Sequence, residues 1–165
     1  MNITLNPRSI FDEIFALSAM AALHRTDTER PPLLCRDQIP GLRHLVRMAF
    51  ANLVMQFAER ISACRFDETT PGGDAPYDPD YPLTMEIELN AAAGSQTPAD
   101  DAGRALLIKA NMEHVVALTT LSFVFDCVNP DLARSYRLQA AEASTSLGED
   151  IDPAIPPGRL AAWYY

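Results

Sequence analysis

The chain has 165 residues, the size of one domain, and a fold of this length buries about 70% of the unfolded surface without needing a disulfide or a metal. Hydrophobic residues make up 48% and charged residues 21%, a composition that excludes a collagen, a long disordered chain and a polytopic membrane protein. The net charge of −9 is concentrated in residues 66–103, which hold nine acidic and no basic side chains, so duplex nucleic acid is excluded as a partner.

The first helix is expected over residues 7–25. Pro7 suits the first turn, and Ser9 with Asp12 forms an acidic capping box. Ile10, Ile14, Leu17 and Ala21 make one apolar face, and Phe11, Phe15 and Ala22 make the adjoining one. Between Ile14 and Leu23 the single polar side chain is Ser18, so this helix needs cover on more than one side. The run does not read as a secretion signal, because Asp12 and Glu13 stand where positive charge is required. It is also too short to span a membrane, which takes about 20 residues.

After a polar connection containing Pro31-Pro32, a second helix is expected over residues 38–64, with Asp37 as its N-cap. Leu42, Val46, Ala49, Leu53, Phe57 and Ile61 keep helical spacing, joined by Cys64. Residues 65–82 hold four prolines and two glycines and read as loop. From Leu83 to Asn90 the alternation is strict. Leu83, Met85, Ile87 and Leu89 point one way, and Thr84, Glu86, Glu88 and Asn90 the other, which is the period of a half-buried strand. One strand cannot satisfy its own ladder, so a partner is expected from residues 2–6 or from another subunit.

Thr97 and Pro98 open a third helix, expected to reach Cys127 along a stripe of Ala105, Ile108, Met112, Val115, Leu118 and Leu121. Val116, Phe123, Val124 and Phe125 widen its second half, which should form the centre of the core. Asn129-Pro130 starts a fourth, antiparallel helix with Leu132, Tyr136, Ala140, Ala143 and Leu147 inward, and Gly148 is its expected C′ residue. The fold class is therefore mainly α. It is a bundle of four principal helices within residues 1–148, with a strand-containing acidic insertion at 65–97 between the second and third. A Pro-rich tail, 149–165, ends in Trp163-Tyr164-Tyr165.

Motifs for chemistry are sparse. Cys35, Cys64 and Cys127 show no metal or redox spacing and read as reduced thiols of a cytoplasmic protein. Glu113 and His114 are adjacent, so they point about 100° apart on a helix and lack the spacing of a di-iron site. His24 and His44 read as structural or surface residues, and the acidic loop around Asp74, Asp78 and Asp80 fails the calcium-loop pattern. No nucleophile motif or phosphate-cradling glycine loop is present, so no catalytic residue, cofactor or metal is expected.

Three features carry interaction character: Trp163, Tyr164 and Tyr165; the strand face of Leu83, Met85, Ile87 and Leu89; and the cluster Arg43, His44 and Arg47. That cluster opposes the helix dipole and so suits an anion or an acidic partner surface. The expected function is a non-enzymatic structural or protein-interaction component, homo-oligomeric, with no membrane and no nucleic-acid partner. Small bundles of this architecture serve in phage head–tail connectors and other assembly factors, an analogy of shape. The alternative is a small-molecule-binding protein or enzyme with a pocket inside the bundle.

Overall fold

The computed structural model describes residues 1–23, 31, 33–67, 81, 83–90 and 98–151, and the side chains from residue 102 in the last of these stretches. The described elements are strand β1 (Asn2–Leu5), helix α1 (Pro7–Leu23), a single 3-10 turn (Arg36–Gln38), helix α2 (Ile39–Gln56), strands β2 (Ile61–Asp67) and β3 (Thr84–Leu89), and helices α3 (Pro98–Phe125) and α4 (Pro130–Ile151). The molecule is mostly helical, with a small three-stranded antiparallel sheet among the described residues.

The sheet has the order β1-β3-β2. The expected pairing of β3 with the first residues of the chain holds: Ile3 lies opposite Ile87 and Leu5 opposite Met85. Leu83, Met85, Ile87 and Leu89 are all buried, as the alternation requires. On the other face Glu88 is exposed, but Glu86, expected exposed, is half-buried, and Thr84 is buried. Glu86 lies on the middle strand, opposite Thr4 on one side and Arg65 on the other, so its neighbours shield it.

The second helix is shorter than its periodicity suggests. It ends at Gln56, and residues 61–67, expected to be partly helical, form β2. The turn is made by backbone bonds from the Arg60 and Ile61 N–H groups to the Phe57 carbonyl. Beyond it Phe66 lies opposite Met85, completing the ladder that β3 needs on its second edge. The ring of Phe50 on α2 packs 5.8 Å from that of Phe66, which fastens the strand to the helix. Asp37 is not an N-cap. It sits inside the 3-10 turn, and α2 begins after Gln38 with Pro40 in its first turn.

Caps elsewhere are clear. At α1 the capping side chain is Asn6 and not Ser9: its Oδ1 accepts the Arg8 N–H at 3.1 Å, directly before Pro7. Asn129 caps α4 as expected, its Oδ1 accepting the Leu132 N–H at 3.1 Å. Gly148 does not terminate α4. The helix continues to Ile151 with Gly148 buried inside it, because Arg104 on α3 takes over the capping. Its Nε donates to the Asp150 carbonyl at 3.0 Å and its Nη2 to the Ile151 carbonyl at 2.8 Å.

Helix α3 is the hub. It packs against α4 along its length and also against α1, α2 and β1. Phe125 meets Tyr136 at one end and Arg104 meets Ile151 at the other, so α3 and α4 are antiparallel. Residues 115–122 are buried without interruption, Thr119, Thr120 and Ser122 included. Thr120 and Ser122 donate to the carbonyls of Val116 and Thr119 within the helix, which satisfies their hydroxyls without external partners. Val116 and Phe125 are fully buried as expected, but Phe123 and Val124 are only half-buried.

Candidate functional site

Of the residues expected to make contacts, the structure keeps Leu83, Met85, Ile87 and Leu89 inside the chain's own core, facing the helices together with Ile3 and Leu5. Trp163, Tyr164 and Tyr165 lie outside the described residues, as do His24, Asp74, Asp78 and Asp80. Arg43 is half-buried, and His44 and Arg47 are exposed on α2. The guanidinium of Arg47 lies over the Phe66 ring, 5.7 Å from its centroid, so this cation is placed by an aromatic ring of β2.

A polar junction that sequence spacing does not reveal joins the β1–α1 corner to α3. Glu113, although charged, is only 6% exposed. Its Oε1 accepts the backbone N–H of Asn6 at 2.6 Å and lies 3.9 Å from the Lys109 ammonium. A buried carboxylate requires such partners. The next residue, His114, turns toward α1, where its Nδ1 pairs with Glu13 Oε1. The angular separation of adjacent helix residues thus lets consecutive side chains hold two points of one corner. The hydrogen bond to Glu13 holds the His114 pKa above its ordinary value, against partial burial, which pushes it down.

A raised pKa in the folded state means the pair stabilises the fold fully below the unfolded histidine's value of about 6.5, and the contribution is lost as pH rises through the higher folded value. Denaturation midpoints at about pH 5.5 and about pH 8.5 should therefore differ more for the wild type than for His114→Gln, with the wild type losing its advantage at the higher pH. Equal pH dependence in the two proteins would show that the pair contributes nothing.

The exposed apolar surface is more distinctive. On α1 the one polar residue of the apolar run, Ser18, faces inward and is fully buried. Its hydroxyl donates to the Phe15 carbonyl at 3.0 Å and accepts the Leu34 N–H at 3.4 Å, serving the segment that leads to α2. The outward positions are left to Ala16, Met20 and Leu23, spaced i, i+4 and i+7, with Met20 54% and Leu23 77% exposed. A second uncharged face occupies the first half of α3, where Ala102, Gly103, Leu106, Leu107 and Ala110 are exposed.

Among the described residues no group of three His, Cys, Asp or Glu side chains is placed to hold a metal ion, and no helix is long and apolar enough to cross a membrane. Cys35, Cys64 and Cys127 are all free and exposed. The chain matches no family model, no curated protein and no solved structure.

Proposed function

We propose that this protein is a non-catalytic interaction component that associates with a second copy of itself through the outer face of α1, with its four helices forming a bundle around α3. The observation that carries this reading is the inversion on α1: its only polar side chain between Ile14 and Leu23 is inside, while Met20 and Leu23 stand in solvent. An outer helix ordinarily turns its polar side outward, and contiguous apolar patches on a soluble surface mark contact sites.

A second copy suits this face because an isologous contact between two such stripes is self-complementary. Charge points the same way. A chain carrying −9 repels its own kind, but residues 14–23 of α1 bear no charge, so two copies meet there without opposing like charges. The three free thiols suit the reducing interior of a cell, and a cytoplasmic location belongs to this reading. Glu13, Glu113 and His114, the charged cluster at the β1–α1 corner, are engaged as ties between that corner and α3, which suits a structural role for them.

The test is the double variant Met20→Asp, Leu23→Asp. Both positions are exposed, so the fold should survive with unchanged helicity by circular dichroism. Sedimentation velocity should show the variant as single chains at concentrations where the wild type is associated. Identical sedimentation of the two proteins would remove α1 as the contact.

A further inference from the structure

We propose that the outer side of α2 binds an acidic amphipathic helix of another protein, whose apolar row sits on Met48 and Met55 and whose carboxylates meet Arg43 and Arg47. This surface is separate from the α1 face and does not depend on self-association. Helix α2 turns Leu42, Val46, Ala49, Phe50 and Leu53 into the core. His44, Met48, Ala51 and Met55 follow at i, i+4, i+7 and i+11, which places them in one row on the opposite side. All four are exposed, Met48 by 43% and Met55 by 76%. The row is about 16 Å long, the length of three helical turns. Methionine is flexible and polarizable, so it adapts to the side chains of a helix laid along it.

The charge beside this row has one sign. In a chain of net charge −9, α2 carries Arg43 and Arg47 and no acidic residue from Ile39 to Gln56. The Arg47 guanidinium lies 5.7 Å from the Phe66 ring centroid, and the Phe50 ring lies 5.8 Å from the same ring, so Arg47 is on the flank that faces β2. Arg43 is one turn earlier on that flank. Among the described residues neither guanidinium is paired with a carboxylate. On the neighbouring strand, Asp67 is engaged by Arg65 at 3.0 Å. Stacking uses the face of a guanidinium and leaves its N–H edge for a carboxylate, so Arg47 is positioned to receive one.

An apolar row with cations along one flank is complementary to a helix with an apolar row and acids along one flank. A second copy fits this face poorly, because an isologous contact would gather the arginines of both chains without a carboxylate. An anionic membrane or a nucleic acid is an extended surface of negative charge and meets the repulsion of the whole chain. A single acidic helix places its carboxylates within a Debye length, about 10 Å, of the two arginines, where their attraction outweighs the screened remainder of the protein.

The probe is a fluorescein-labelled 18-residue peptide of Glu, Leu and Ala, as long as α2, with leucines at i, i+4, i+7 and i+11 and glutamates along one flank. Its anisotropy should rise saturably with protein, and the same peptide with Lys for Glu should not bind. Raising the salt from about 0.05 M to about 0.5 M should weaken binding several-fold. Arg43→Gln with Arg47→Gln should weaken it about tenfold, and Met48→Asp with Met55→Asp at least as much, with helicity retained in both by circular dichroism. Met20→Asp with Leu23→Asp should leave peptide binding unchanged, and Arg43→Gln with Arg47→Gln should leave self-association unchanged, so the two surfaces succeed or fail separately. No saturable binding, equal binding of the lysine peptide, or affinity that survives both α2 substitutions would overturn the proposal. So would binding to phosphatidylserine vesicles that is lost in the same α2 variants, which would give the face to a membrane.

Discussion

Replacing Phe125 with alanine should lower the unfolding free energy by about 3–5 kcal/mol. Phe125 is completely buried, closes the last turn of α3 and lies 6.0 Å from the Tyr136 ring in a stacked arrangement. The substitution removes the ring's transfer free energy and leaves a cavity that the facing helices cannot fill, since their ends are joined by a link of four residues, 126–129. Tyr136 loses its stacking partner, and its hydroxyl bond to the Leu17 carbonyl, 3.2 Å long, loses the packing that positions it. The defect should therefore reach α1 as well. Phe123→Ala, at a half-buried position one turn's fraction away, should cost clearly less. Urea denaturation of the two variants measures the difference. Equal losses would mean that the core is not centred where α3, α4 and α1 meet.

The second large effect is expected at Glu113. Glu113→Leu should destabilise by about 1.5–3 kcal/mol, the range for a lost hydrogen bond to a charged group. The leucine fits the buried site but leaves the Asn6 N–H without its acceptor, at the residue that also caps α1. Lys109 loses its counter-charge at the same time, a smaller term because that pair is longer and its ammonium partly solvated. Glu113→Gln retains an acceptor oxygen and should recover most of the loss. Denaturation of both variants decides the point. A leucine variant as stable as the wild type would show that the Asn6 contact is incidental.

Periodicity was sufficient wherever one element dominates its surroundings. The stripe from Ile108 to Leu121 and the alternation from Leu83 to Leu89 each have one burial solution, and both occur. Residues 61–67 show the opposite case. Phe57, Ile61 and Cys64 continue a helical spacing, and Ala58-Glu59-Arg60 contains no glycine or proline to stop it. What turns the chain is the unpaired edge of β3, a demand made from more than twenty residues away. Gly148 misleads for a related reason: a glycine near a helix end signals a C-cap, but here Arg104, distant in sequence, supplies the cap and the helix runs on.

The polar junction was not legible because its partners are brought together only by the fold: Glu13 meets His114 across 101 residues, and Asn6 meets Glu113 across 107. The apolar excess of α1 was legible as composition. Its orientation was not, because only tertiary packing sends Ser18 inward to serve Leu34 and Met20 outward to solvent.

Self-association through α1 is the central claim, and light scattering coupled to size exclusion tests it most directly. At micromolar concentration and moderate salt, where the acidic charge is screened, the wild-type protein should elute with a mass above the 18.1 kDa of one chain. A mass of one chain at every concentration would contradict the account.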